Sequence, residues 1–92
     1  MGLVTERVFT IKNALGLHAR PAAAFAQEAA RHKCSVVVVK DGLEVSGKSV
    51  MGLMLLAAEC GSKLTVKVDG VDEDKALDAL GLVLEKKFDE KF

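Results

Sequence analysis

Ninety-two residues are enough for one hydrophobic core and too few for two. Half of the side chains are hydrophobic and 28% are charged, and 13 basic residues balance 13 acidic ones. A molecule with zero formal charge has no general attraction to DNA or to an acidic membrane surface. With no Trp, no Tyr and four Phe, the chain also lacks an aromatic platform for single-stranded nucleic acid.

The charge is unevenly spread. Residues 1–48 carry seven Lys/Arg against four Asp/Glu, and residues 49–92 carry six against nine. The first half therefore suits an acidic partner or a phosphate. Cys34 and Cys60 belong to no CxxC pair, and with two His they match no zinc spacing. Two reduced, mostly buried thiols and no metal or cofactor are the expectation. Met1 to Thr10 carries Glu6 and Arg7 and has no apolar stretch of the secretory kind. No apolar run approaches the roughly 20 residues that a bilayer requires. These features predict a cytoplasmic protein with no membrane insertion.

Val4 to Lys12 alternates loosely and is rich in Val and Thr, which predicts a first strand closed by Asn13 and Gly16. Ala19 to about Arg31 is Ala-rich. Ala22, Phe25, Ala26 and Ala29 recur at i, i+3, i+4 and i+7, a helical stripe anchored on Phe25. Arg31, His32 and Lys33 fall in the predicted last turn, and His32 reads as a solvated helix-end residue. Val36 to Val39 is a β-branched run with the character of a buried strand. Asp41-Gly42 predicts a hairpin into a return strand through Leu43 and Val45.

Ser49 can cap a second helix over about Val50 to Ala58, with Gly61 as its C′ residue. That helix is apolar almost all round, more than a short surface helix can bury. Val50, Met51 and Met54 are therefore expected to form an exposed docking patch, since the thioether adapts to different partners. Leu64, Val66 and Val68 alternate with polar residues as a fourth strand, and Asp69-Gly70 turns the chain. Asp72, Glu73 and Asp74 open a last helix, with Lys86 and Lys87 near its end. Its buried stripe is Ala76, Leu77, Leu80, Leu84 and Phe88, with Val83 flanking. No function is assigned to Asp89 to Phe92. The order β-α-β-β-α-β-α predicts an α+β domain over residues 1–92, with one sheet face covered by three helices and the other solvated.

The chemistry concentrates in Gly16-Leu17-His18-Ala19-Arg20-Pro21-Ala22. Gly16 permits backbone angles that a side chain forbids. Pro21 lacks the N–H that only a first helical turn can do without. His18 then falls at or next to a helix N-cap, where outward N–H groups and the positive end of the helix dipole attract anions, phosphate above all. The amides of Ala19 and Arg20 and the Arg20 guanidinium suit phosphate oxygens. A hydrolytic nucleophile–base pair or a metal site at His18 lacks companions among the neighbouring Ala and Leu. A merely exposed His is the plainest alternative, and a metabolite-sensing module of similar βαββαβ order is another. A neutral imidazole, by contrast, can take a phosphoryl group without a separate base.

This motif resembles that of the HPr family, the histidine phosphocarriers of the bacterial phosphoenolpyruvate-dependent sugar phosphotransferase system. The likeness runs over roughly residues 4–88, and the element order agrees. It implies an open-faced β-sandwich with a four-stranded antiparallel sheet. It also implies that His18 is phosphorylated on Nδ1 by enzyme I and passes the group to enzyme IIA domains, with Arg20 on the phosphate. A second stretch, Lys48-Ser49-Val50-Met51-Gly52-Leu53-Met54, resembles the family's regulatory motif. It implies phosphorylation of Ser49 by a serine kinase/phosphorylase. The protein is expected to be a phosphocarrier rather than an enzyme, and a monomer.

Overall fold

The computed structural model describes residues 4–85. In chain order the elements are β1 (Val4–Thr10), α1 (Ala19–Ala30), β2 (Ser35–Lys40), β3 (Leu43–Ser46), α2 (Val50–Leu55), β4 (Lys63–Asp69) and α3 (Glu73–Glu85). The strands form a four-stranded sheet in the order β1-β4-β2-β3, and each neighbouring pair is antiparallel.

Alternation decides which side chains enter the core. Val36 and Val38 of β2 pair with Val68 and Val66 of β4, and all four are buried beneath the helices. The outward set includes Val8, Thr65, Lys67 and Glu6, which leaves that face to solvent. Between β2 and β3, Asp41 and Gly42 both take positive φ, +49° and +83°, the left-handed pair that a tight hairpin between right-twisted strands requires.

The helices close the other face. Helix α1 buries Pro21, Ala22, Phe25, Ala26 and Ala29, so its Ala-rich face packs closely. Helix α3 buries Ala76, Leu77, Leu80, Gly81 and Leu84. A Cβ at Gly81 would stand 2.7 Å from the Phe9 ring, so glycine is what lets β1 and α3 approach there. Arg7 joins the same two elements, with Nη1 2.9 Å from Asp78 Oδ1. The predicted stripe of α3 is observed as far as Leu84, while Phe88, Lys86, Lys87 and Asp89 to Phe92 lie outside the described residues. Among the described residues no helix is long and apolar enough to cross a membrane.

Four local expectations are corrected. Helix α2 ends at Leu55 rather than Ala58, because Ala57 adopts φ +50° and turns the chain out of the helix. Gly61, at φ +92°, therefore closes the following loop and is not the residue that stops the helix. Helix α1 ends at Ala30 with Arg31 as its C-cap, and His32 is not a solvated terminus. Its side chain is only 16% exposed, with Nε2 2.9 Å from Glu28 Oε2 one turn earlier. Of the two thiols expected to be buried, Cys34 is and Cys60 is exposed.

Helix α2 divides its apolar residues by face. Leu53 and Leu56 are 0% and 3% exposed, whereas Met51 and Leu55 are 75% and 71% exposed. Leu53→Ala should therefore destabilise the protein by about 2–5 kcal/mol. Met51→Ala should change stability by no more than about 0.5 kcal/mol. Guanidinium unfolding of the two variants checks both, and equal losses would place Met51 in the core.

Candidate functional site

The segment before α1 is shaped by backbone contacts. Gly16 N–H donates to Asn13 O at 3.0 Å, and Gly16 takes φ +73°. A Cβ there would sit 2.3 Å from Ala58 O and 2.9 Å from Glu59 Cα, so position 16 requires glycine on two counts. Leu17, buried, donates its N–H to Ala58 O at 2.8 Å, and His18 N–H donates to Gly16 O at 3.0 Å.

The 57–62 segment is bound to the end of β1 as well. Gly61 N–H donates to Ile11 O at 2.7 Å, and Ile11 N–H to Ser62 O at 2.8 Å. Cys60 Sγ lies 3.8 Å from Lys12 O. The loop that carries His18 thus rests on the loop that follows α2.

His18 is the N-cap of α1, in extended backbone conformation with φ −83° and ψ −170°. Its carbonyl accepts the first helical hydrogen bond, from Ala22 N–H at 2.9 Å, while its side chain makes no capping bond to the first turn. Ser, Thr, Asp and Asn at this position normally satisfy a first-turn amide with a side-chain oxygen. His18 is half-buried, and Ala19 and Arg20 are exposed. Pro21, in the first turn, is buried with Ala22. The helix start anticipated from Gly16 and Pro21 is therefore present, with the imidazole and the guanidinium in one turn at the solvent edge.

Ser49 is the N-cap of α2, and its Oγ accepts from Gly52 N–H at 3.0 Å. Beside it, Lys48 Nζ donates to His32 O at 3.0 Å, past the C-terminal end of α1. The other end of α2 leads through Ala57 to the Ala58 carbonyl against Leu17. Helix α2 thus runs back along α1 toward the residue that precedes His18. Val50, Met51 and Met54 are all exposed, and Leu55 joins them. Leu55 is missing from the sequence-predicted patch, yet its i+4 relation to Met51 puts it on the same face. Asn13, the buried polar residue of this region, reads in sequence only as a turn residue.

Two concavities among the described residues lie elsewhere. One cleft of about 320 Å³ is lined by Arg7, Phe9, Asp78, Gly81, Leu82 and Glu85. A second, of about 230 Å³, is lined by Glu28, Ala79, Leu82 and Val83. Neither includes a residue of the 16–22 motif.

Comparison with known proteins agrees with this geometry. The family model for the PTS HPr component phosphorylation site matches residues 5–86. The chain is 43% identical over 81 residues to phosphocarrier protein HPr of Treponema pallidum, covering 88% of this chain and 92% of that protein. It is 44% identical over 84 residues to the HPr-like protein Crh of Halalkalibacterium halodurans, covering 91% and 100%. The crystal structure of HPr from Bacillus anthracis superposes with a TM-score of 0.83 at 40% identity, over 87% of this chain and 95% of that one. Motif, fold and relatives converge, and the chain belongs to the HPr family, the phosphocarrier proteins of the phosphotransferase system.

Proposed function

We propose that the 92 residues act as one phosphocarrier domain, a cytoplasmic monomer that takes a phosphoryl group on His18 from enzyme I and gives it to enzyme IIA domains. The observation that carries this reading is half-buried His18 at the N-cap of α1, one residue from exposed Ala19 and two from exposed Arg20. The lone pair of Nδ1 forms the new P–N bond as the donor's bond to phosphorus breaks. On delivery the P–N bond breaks and the ring is left neutral. The helix start offers the departing and arriving dianion the Ala19 and Arg20 amides and the positive end of the α1 dipole, and Arg20 offers a charged fork. A shallow, solvent-edge site suits a carrier, which has to release what it binds.

Incubation with phosphoenolpyruvate and enzyme I should yield one acid-labile, alkali-stable phosphate per chain, absent in His18→Ala. Labelling that survives the substitution removes His18 from this role. Arg20→Ala should slow the transfer by about 10²-fold, the scale of losing one preorganised charge-stabilising donor.

Partners are expected to dock on Val50, Met51 and Met54. Their exposure supports this, with Met51 on the side of α2 opposite buried Leu53. Met51→Glu or Met54→Glu should raise KM toward enzyme I at least about tenfold, as for loss of an apolar anchor at an interface centre. Circular dichroism should stay native. An unchanged KM would move docking off this face.

Ser49 is the proposed target of a serine kinase/phosphorylase. A phosphate on its oxygen would set a dianion at the start of α2 and beside Val50, which repels acidic partners. Ser49→Asp should slow phosphorylation of His18 by about tenfold, equivalent to about 1.4 kcal/mol of like-charge opposition. Equal rates in Ser49→Asp and Ser49→Ala would leave Ser49 as a cap alone.

A further inference from the structure

Ala57 is one of three non-glycine residues with positive φ among the described residues, at +50°. L side chains adopt that region rarely, and strained backbone that persists in a folded protein tends to sit where it does something. Here it controls the exit from α2. Ala57 N–H still donates to Met54 O at 3.1 Å, so the strain begins two residues after Leu55, the last exposed apolar residue of α2. The next carbonyl, that of Ala58, accepts the Leu17 N–H at 2.8 Å and lies against Gly16. In right-handed conformation Ala57 would continue the helix and send the Ala58 carbonyl along the α2 axis, away from Leu17. Two backbone hydrogen bonds, separated by one left-handed residue, therefore join Met54 to Leu17, the residue before His18.

We propose that Ala57 is a positioning residue for phosphoryl transfer. Its left-handed backbone aims the Ala58 carbonyl at Leu17 N–H and so sets the approach of His18 to a partner seated on α2. This inference rests on the reading of His18 as phosphoryl acceptor. Misplacement of a reacting group by an ångström costs up to about 10²-fold in rate, so a hinge of this kind acts on the chemical step and not on docking.

The test uses full-length chains in the enzyme I assay, with kcat and KM resolved. Val resists left-handed backbone and Gly accepts it without strain. Ala57→Val should lower kcat at least about tenfold with KM within about twofold, and Ala57→Gly should keep the native kcat. Hydrogen exchange of the Leu17 amide should speed up in Ala57→Val while the Val66 amide in the sheet stays protected. A synthetic chain with an ester in place of the Gly16–Leu17 amide removes the Leu17 donor without altering Ala57 and should show the same loss of kcat. It carries the test if Ala57→Val does not fold. Native kcat in the ester chain, or in a folded Ala57→Val, overturns the proposal, as does a rise in KM alone. If the native chain takes no phosphate on His18, the phosphocarrier reading fails instead, so the two failures are separable.

Discussion

The hydrogen bond from Leu17 N–H to the Ala58 carbonyl is short in reach and wide in consequence. It requires a glycine at position 16, because any side chain there would collide with the acceptor itself. It requires α2 to stop early, because a helix continued through Ala57 would take the carbonyl elsewhere. It also fixes where α1 begins, since the peptide that donates is the one preceding the N-cap. A burial of Leu17, Ala58 and Leu56 around this contact keeps water from competing for it.

Buried and exposed apolar surface are divided within single elements. The core is built by β2, β4 and the inward stripes of α1 and α3, and Leu53 and Leu56 are the share that α2 contributes to it. The opposite side of the same short helix is apolar and open to solvent. That side adds apolar surface facing water and contributes nothing to the core. The outer sheet face mixes exposed Val4 and Val8 with Glu6, Lys67 and Thr65.

Much of this was legible in the sequence because its signals are local. Gly16, Pro21 and the alanine run mark the start of α1 within seven residues, and Asp41-Gly42 marks its hairpin in two. Ser49 announces its own cap, with the bonded amide three residues on. The end of α2 was not legible. Leu55-Leu56-Ala57-Ala58 has high helix propensity, and what overrides it is a contact with residue 17, which no local pattern encodes. Cys60 also meets a residue distant in sequence, its Sγ 3.8 Å from Lys12 O, and stays exposed. His32 is different, since Glu28 stands four residues earlier and the pairing lay open to a closer reading of helical spacing. Within the site, the sequence marks His18, Arg20, Ser49 and the methionines, and only the fold shows that α2 runs back to the peptide preceding His18.

The strand order has a temporal side. Strand β1 pairs with β4, so that Val4 lies opposite Asp69, and the loop at 16–18 leans on residues 58–61. Contacts this distant along the chain form late, after their loop-closure entropy has been met. During synthesis from the N-terminus, the histidine emerges long before the carbonyl that seats its loop exists. An incomplete chain therefore presents the motif without its geometry, and a partner that reads geometry has no reason to engage until two-thirds of the molecule has been made.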